Sequence, residues 1–467
     1  MRIPLDLIAA ILCVEGIERY LRQSASGNFL PHVSLGLVLA AWGGFFLCTW
    51  LLNELLTRRL EGYIHFGLRP GGRPGGPHPQ VLHSWGTRVV QAVTVVLFCG
   101  LLFLLRWPLR MEFWPQWFGW PADMSAGQLR LAKSATAGVL LNVIPFVFAM
   151  VLGWLPRRRL ISGLRRRPVP LRGFLANEAG LTLLPLVLLL ILSLCGDLFL
   201  LLPRGVIEYF SAPGVDLLSM LLLLGLCAFV ILPKLIIWLW RCAPLPDGEL
   251  RDRLMRLLAV SRVKARDILS WGPRNSNLLN ACVLGPWSRF RYVLISPQLV
   301  EELGLTEAEA VLAHELGHAR YGHLTLLFVL LLFMSALWMW MAQALVLAAP
   351  ASPLVETGVS MLFVILYIWR FLGSVLRQCE READLASAET MGTPAPLVAA
   401  LERLAALSGN SRSVYSWHHG SIAQRVAVVE RLAADPRAAA ALHRRLRWMR
   451  WLLSLATVLA LAGQVFW

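Results

Sequence analysis

The stretch TEAEAVLAHELGHARYGH covers residues 306–323, and the 26 residues that follow it, 324–349, carry no charged side chain. On a helix, His314 and His318 are four residues apart, so they share one face at a separation of about 6 Å. Glu315 lies one position further round the helix. Two imidazoles at this spacing can bind one zinc ion, and the glutamate can act as a general base on water. The stretch therefore predicts a metal-binding helix that leads directly into an apolar span.

The two ends of this predicted helix carry signals of their own. Thr306 and Glu309 match the capping-box pattern, which predicts that the helix starts at Thr306. His323 follows His318 by five residues, at the point where the apolar run begins. We expect His323 to be a residue of the membrane interface rather than a metal ligand.

The composition of the whole chain excludes a soluble globular protein. Of its 467 residues, 57% are hydrophobic and only 15% are charged, and the mean hydropathy is +0.61. Soluble domains carry about 25% charged residues, and long apolar runs are the usual reason for a much lower share. We therefore expect a mainly α-helical, polytopic transmembrane protein.

Eight apolar runs are each near the roughly 20 residues that cross a bilayer. They cover residues 31–55, 89–106, 136–155, 179–202, 216–240, 324–349, 354–376 and 448–467. A ninth run, 3–14, is a short span, a re-entrant segment or a weak signal sequence. The predicted regions are an N-terminal transmembrane region 1–240, a water-facing segment 241–323, a transmembrane hairpin 324–376, a second water-facing segment 377–447 and a C-terminal span 448–467.

Basic residues set the predicted orientation. The chain has 44 Lys and Arg against 28 Asp and Glu, a formal net charge of +16. The loop 156–177 holds arginines and no acidic residue, and such loops stay on the cytoplasmic side. Because successive spans cross the membrane in opposite directions, counting them from this loop places both water-facing segments in the cytoplasm. We therefore expect a multi-pass protein of the cell (inner) membrane. Because the arginines flank apolar helices, we expect the lipid bilayer and a polypeptide substrate as partners, and no nucleic acid.

A catalytic zinc site needs a third protein ligand and an open position for water. The sequence midpoint between His318 and Glu380 is position 349, inside the predicted turn of the transmembrane hairpin. In antiparallel helices of equal rise, residues equidistant from the turn lie at one height, which selects the carboxylates near position 380. This argument leaves Glu380 and Glu382 both open. Asp384 shares a helix face with Glu380, and we expect it to accept the distal N–H of a zinc-binding histidine.

Two short β-rich runs precede the metal-binding helix. Leu279–Leu284 and Phe290–Ser296 are separated by a Gly-Pro-Trp-Ser sequence, which predicts a hairpin beside that helix. An exposed edge of this hairpin could take an extended peptide as an added strand and present its carbonyl to the metal.

Four features, in order along the chain, resemble the HtpX-like and CAAX-prenyl-endoprotease group of integral-membrane zinc proteases. They are Asn280-Ala281 in an apolar strand, the HELGH motif at 314–318, the transmembrane hairpin, and Glu380-Arg-Glu-Ala-Asp384 followed by His419-Gly-Ser-Ile-Ala-Gln-Arg425. The resemblance spans residues 275–430 and implies a cytoplasmic zincin-like catalytic domain with a small β-hairpin or sheet. It also implies that Glu380, rather than Glu382, supplies the third ligand to one zinc ion per chain.

The same resemblance implies roles beyond the metal. His419 and Arg425 would contact the substrate or the oxyanion, and Asn280 with its strand would bind the substrate backbone. The family usually has two prolines after the histidine, where this chain has Gly420-Ser421. The six-residue spacing from the histidine to the arginine is kept. Glu315 would be the catalytic general base.

The sequence thus predicts a membrane-embedded zinc metalloendopeptidase that cleaves membrane-associated or misfolded proteins at the cytoplasmic face. Three alternatives make different predictions. A CAAX-type endoprotease would require a lipidated C-terminus in its substrate. A regulatory signalling protease would need a sensor domain, but the longest non-cytoplasmic loop, 107–135, is Trp-rich and interfacial. A non-catalytic membrane scaffold would lack zinc at full occupancy.

Overall fold

The structure is a computed structural model of the chain. It describes residues 35–67, 79–105, 134–165, 168, 170–182, 184–199, 201–210, 223, 225–271, 280–348, 353–407 and 411–465. The run 3–14 and nearly all of the loop 107–135, on which two of the expectations rest, lie outside the described residues.

The chain forms two compact units, Met1–Ala212 with Leu345–Met361 and Pro213–Ala344 with Leu362–Trp467. The helices before residue 212 are α1 (Leu35–Gly67), α2 (Pro79–Leu105), α3 (Ala135–Arg165), α4 (Leu171–Thr182), α5 (Leu184–Phe199) and α6 (Arg204–Phe210). Aromatic rings of the first three are buried together, with centroids 5.8 Å apart for Trp42 and Phe45 and 5.0 Å apart for Phe98 and Phe146. Large aromatic side chains therefore join α1, α2 and α3.

The helices that follow contain every residue of the predicted site that lies on a helix. A π-helical turn, Cys227–Ile231, leads into α7 (Leu232–Leu239), followed by α8 (Glu249–Val260), α9 (Pro297–Leu303), α10 (Leu305–Arg320), α11 (His323–Ala348), α12 (Pro353–Leu366), α13 (Gly373–Met391), α14 (Ala395–Leu407), α15 (Ile422–Ala434) and α16 (Pro436–Val465). A second π-helical segment, Tyr367–Leu372, joins α12 to α13. The chain is therefore continuously helical from Pro353 to Met391.

A four-stranded sheet lies in the second unit. Its strands are β1 (Ala243–Pro244), β2 (Asp267–Ser270), β3 (Ala281–Leu284) and β4 (Tyr292–Ile295), in the spatial order β1-β2-β4-β3. β3 and β4 are antiparallel, so the predicted small β-structure is confirmed, whereas β2 pairs parallel with β4. β1 and β2 were not predicted from the sequence, because β1 has only two residues and the β2 sequence Asp-Ile-Leu-Ser does not alternate between apolar and polar residues.

The sheet fixes the position of α10 through a shared core. The buried apolar side chains of β2, β3 and β4 pack against those of α8 and α10, including Leu254, Leu257, Ile268, Val293, Leu312 and Leu316. Burying these positions leaves the polar residues of α10 on the other faces of the helix. β3 is at the edge of the sheet and contacts α10 directly.

The predicted capping box at the start of α10 is wrong. The helix begins at Leu305, and its N-cap is Gly304, with φ 88° and no side-chain cap. Thr306 is therefore already inside the first turn and cannot occupy the cap position. A capping box does occur at the start of α15, where the Ser421 hydroxyl accepts from Gln424 N and the Gln424 amide accepts from Ser421 N.

Among the described residues, four helical runs are long and apolar enough to cross a membrane. They are Thr136–Arg159, His323–Leu345, Gly358–Met391 and Pro436–Gly463, and shorter apolar helices occur at Val89–Leu102, Leu189–Phe199 and Phe229–Leu239. The first predicted span, 31–55, falls on α1 from Leu35 onward. These helices and the small mixed sheet confirm the predicted fold class, a mainly α-helical protein of the multi-pass membrane type.

The helical runs on either side of residues 349–352 pack against each other within the second unit. Tyr367 donates its hydroxyl proton to the carbonyl oxygen of Leu330 over 2.7 Å, and Leu326, Leu372 and Val375 are buried beside this contact. The sequence midpoint of Leu330 and Tyr367 lies within one residue of position 349. This is the antiparallel arrangement assumed in selecting the carboxylates near position 380.

Gly317, inside the HELGH motif, lies at a close approach of α10 and α13. A Cβ atom on Gly317 would lie 2.9 Å from Ala386 Cβ and 3.0 Å from Ala383 Cα. We expect Gly317→Ala to force the two helices apart and to lower the free energy of unfolding by about 1–3 kcal/mol, the usual cost of overpacking. Thermal unfolding in detergent, with Gly358→Ala on α12 as a control for loss of a helical glycine with open space around it, measures the effect. An unchanged unfolding temperature in Gly317→Ala would contradict this packing.

Candidate metal centre

Three metal-ligating side chains meet where α10 contacts α13. His314 and His318 lie one turn apart on α10, and Glu380 lies on α13. One ligand atom from each residue lies within 4.8 Å of the other two. His314 and Glu380 are buried, and the side chain of His318 is 20% exposed. The group is therefore shielded from bulk water but accessible from one side.

The separations between the ligand atoms fit a tetrahedral zinc ion. His314 Nε2 lies 3.2 Å from His318 Nε2 and 3.7 Å from Glu380 Oε2, and His318 Nε2 lies 3.5 Å from Glu380 Oε1. Zinc with ligands at about 2.0–2.2 Å in tetrahedral geometry keeps them about 3.3–3.6 Å apart. Within the described part of the chain, the buried Glu380 Oε2 accepts no hydrogen bond, although His419 Nδ1 is 2.9 Å away. The donor set and its spacing fit one zinc ion.

His314 is held from behind by Asp384 and Arg425. His314 Nδ1 lies 2.8 Å from Asp384 Oδ1. Arg425 donates from Nε to Asp384 Oδ2 over 3.0 Å and from Nη2 to Asp384 Oδ1 over 2.6 Å. Burial lowers the pKa of His314, but the contact with Asp384 outweighs burial, so the pKa is raised. A carboxylate on Nδ1 directs the other ring nitrogen, Nε2, towards the metal group.

Glu315 is half-buried and belongs to the same electrostatic cluster. Burial raises the pKa of Glu315 to about 7, against the opposing charge of His314 and with a further contribution from Glu380. A carboxylate whose pKa is near the working pH can both accept and return a proton. Burial, followed by the charge of His314, holds the pKa of His318 well below its usual range.

His419 lies in a tight turn beside Glu380. Ser416 and Gly420 exchange backbone hydrogen bonds of 3.0 and 2.8 Å, and Gly420 has φ 76°. The left-handed conformation of Gly420 closes this turn, and Ser421 then caps α15. The side chain of His419 is 40% exposed, so one of its edges is open towards the solvent.

Asn280 directly precedes β3, and its backbone belongs to the β3–β4 ladder. Ser296 N donates to Asn280 O over 3.0 Å, and Asn280 N donates to Ser296 Oγ over 3.2 Å. Because hydrogen-bonded pairs alternate in an antiparallel ladder, Cys282 is the next residue that bonds to β4. The N–H and C=O groups of Ala281 and Val283 consequently point to the outer edge of the sheet.

A second buried cluster, which was not predicted from the sequence, lies on the other side of His318. Glu382 is 0% exposed and is bonded to His323, His443 and Arg450. His323 was expected at a membrane interface, but it is buried and lies 2.8 Å from His318. The reason is local: α10 ends at Arg320, and Gly322, with φ 68°, turns the chain so that His323 faces back. A helical wheel drawn as if α10 continued through residue 323 does not predict this contact.

Arg425 makes contacts within the protein that were not predicted from the sequence. The resemblance implied a contact with the substrate or the oxyanion, whereas two nitrogens of its guanidinium are bonded to Asp384. The third, Nη1, lies 3.5 Å from Glu380 Oε2. The arginine thus contacts two carboxylates of α13.

Comparisons with known proteins agree with this geometry. Residues 244–433 match Peptidase family M48. A CAAX prenyl protease 1 homolog of Arabidopsis thaliana is 30% identical over 118 residues, which is 25% of this chain and 28% of that protein. The crystal structure of S. mikatae Ste24p superposes with a TM-score of 0.50 and 17% identity, covering 86% of this chain and 99% of that one, and shows a common fold. Residues 244–433 of this chain are therefore similar to peptidase family M48, and the predicted likeness of the protein to the HtpX-like and CAAX-protease-like members of that family is confirmed.

Proposed function

We propose that the protein is a membrane-embedded zinc metalloendopeptidase that cleaves membrane-associated or misfolded proteins at the cytoplasmic face. The observation that carries this proposal is the meeting of His314, His318 and Glu380, with ligand-atom separations of 3.2–3.7 Å, beside Glu315. Zinc, when bound there, supplies Lewis-acid activation of water and of the scissile carbonyl.

The roles of the surrounding residues follow from their contacts. Glu315 accepts a proton from the attacking water and returns it to the leaving amine. Asp384, held by Arg425, keeps Nε2 of His314 available as a ligand. His419, whose Nδ1 lies 2.9 Å from Glu380 Oε2, is close enough to the site for its exposed edge to donate to the oxyanion.

The substrate is an extended peptide added to the outer edge of β3. Support comes from the position of β3 at the end of the strand order of the sheet and from the contact between β3 and α10. A peptide paired there runs beside the helix that holds His314 and Glu315. Asn280 stands at the end of this edge, where its side chain can bind the backbone of the same peptide.

The proposed regions of the chain are those predicted from sequence: transmembrane 1–240, cytoplasmic 241–323, hairpin 324–376, cytoplasmic 377–447 and a final span 448–467. A position in the cell (inner) membrane with the active site in the cytoplasm follows from the arginine-rich loops. Arg444, Arg445 and Arg447 on α16 directly precede that last span and agree with this orientation.

A second candidate is a CAAX-type endoprotease that acts on a lipidated C-terminus. It is favoured by the similarity to the CAAX prenyl protease 1 homolog, although that match spans only 28% of the relative. The two candidates share the metal site and differ only in what they require of the substrate.

Matched membrane-tethered reporters separate the candidates. One reporter carries an unstructured segment after a transmembrane helix, and the other carries the same segment ending in a prenylated cysteine. We expect purified protein with zinc to cleave the first reporter, and only when the segment faces the cytoplasmic side in oriented proteoliposomes. Cleavage of the prenylated reporter alone would favour the second candidate, a CAAX-type endoprotease, over a protease of misfolded membrane proteins. Cleavage by Glu315→Gln at the wild-type rate would contradict both candidates.

A further inference from the structure

The two histidines of the metal group are supported in different ways. His314 Nδ1 is in contact with a carboxylate, Asp384, at 2.8 Å. Among the described residues, no carboxylate takes that position at His318, and its Nδ1 lies 2.8 Å from Nδ1 of another imidazole, His323. Since His318 Nε2 faces His314 and Glu380, the ring of His318 connects the metal group to His323.

The chain of contacts continues from His323 to a buried carboxylate. His323 Nε2 lies 2.9 Å from Glu382 Oε2. Both residues are buried, and Glu382 is 0% exposed. The order is therefore metal ligand, imidazole, carboxylate, running away from the site into the protein.

The carboxylate of Glu382 is fixed by the C-terminal helix α16. His443 Nδ1 lies 2.9 Å from Glu382 Oε1, and Arg450 Nη1 donates to Glu382 Oε2 over 2.8 Å. The ring of Tyr321 stacks on His443 with a centroid distance of 4.9 Å. A buried carboxylate with charged and hydrogen-bonded partners on all sides has one stable position.

One set of tautomers satisfies every contact in this chain. His318 donates its Nδ1 proton to His323 Nδ1, and His323 donates its Nε2 proton to Glu382 Oε2. Both rings are then neutral, and His318 Nε2 keeps its lone pair for the metal group. The same helix α13 thus supports both histidines: Asp384, held by Arg425, behind His314, and Glu382, held by Arg450, behind His318 through His323.

We propose that His323 and Glu382 are positioning residues that orient the metal ligand His318, and that α16 contributes to the metal site by fixing Glu382. The proposal rests on the proposed zinc site. It gives α16 a role at the metal site that is separate from spanning the membrane.

The test is zinc affinity, measured on chelator-stripped protein by competition with a chromophoric chelator. His323→Phe keeps a ring but removes both nitrogens, and Glu382→Gln keeps the size of the side chain. Loss of an outer partner of a metal ligand typically costs 10–100-fold in metal affinity. We expect a loss in that range from each variant, together with a changed visible spectrum of the cobalt-substituted protein.

Glu389→Gln is the matched control. Glu389 lies two turns after Glu382 on α13 and also contacts His443, at 3.4 Å, but its side chain is 40% exposed and has no place in the chain to His318. We expect wild-type zinc affinity in this variant. A purely structural cluster would lower the unfolding temperature of the zinc-free protein in His323→Phe and leave zinc affinity within twofold of wild type, and that result would overturn the proposal.

A measurement on the wild-type protein covers the case in which the variants do not fold. With ¹⁵N-labelled histidine and zinc bound, the N–H···N hydrogen bond should give a scalar coupling between two imidazole Nδ1 nuclei. Absence of that coupling in the folded, zinc-loaded protein would overturn the proposal. Wild-type protein that binds no zinc would instead refute the proposed function, so the two failures are distinguishable.

Discussion

Glu315→Gln is expected to bind zinc as the wild type does and to lose peptidase turnover by a factor on the order of 10²–10⁴, the usual contribution of a general base. The amide has the size of the carboxylate but cannot accept a proton from water. Burial raises the pKa of Glu315 to about 7, which suits this exchange, and glutamine removes it entirely. Initial rates on an unstructured membrane-tethered reporter, with zinc content measured on the same samples, check both parts.

Glu309→Gln provides the control for this variant. Glu309 lies on the same helix, but its carboxylate lies 3.6 Å from Arg253 of α8. We expect its turnover to be close to that of the wild type. If Glu315→Gln keeps more than about a tenth of the wild-type rate, a loss far smaller than a general base provides, another group takes the proton and the assignment is wrong.

The Glu380→Ala variant is expected to bind zinc more weakly than the wild type does. Its loss of peptidase turnover would follow from the loss of zinc. Glu380 is the only carboxylate of the ligand group found among the described residues, and two histidines without it leave zinc with one protein ligand too few. We expect the loss of zinc affinity to exceed the 10–100-fold typical of an outer partner. Competition with a chelator measures it.

Glu389→Ala, on the same helix and outside the ligand group, is the control for Glu380→Ala. Its zinc affinity should match that of the wild type. One zinc per chain at wild-type affinity in Glu380→Ala would place the third ligand elsewhere, and Glu382 would then return as a candidate.

The sequence predicted the elements whose signals are local. The HELGH spacing places two imidazoles on one helix face, and the midpoint at 349 brings Glu380 to the height of His318; in the structure these residues lie 3.5 Å apart. The short β-rich runs before the motif form β3 and β4. Each of these predictions depends on a period or a spacing that the chain itself carries.

The contacts that depend on an interruption of regular secondary structure were not predicted from the sequence. Gly304 caps α10 without a side chain, and Gly322 turns His323 back towards His318. Arg450, 68 residues after Glu382, reaches it only through the packing of α16. No spacing rule connects residues that meet through a turn or a distant helix, so these contacts need coordinates.

Zinc reconstitution of chelator-stripped wild-type protein tests the central claim most directly. Zinc is added stepwise, and reporter cleavage and bound zinc are measured at each step. We expect that cleavage is absent without metal, rises with bound zinc and saturates at one ion per chain. Cleavage that survives complete removal of metal, or a fully zinc-loaded protein that cleaves neither the unmodified nor the prenylated reporter, would contradict it.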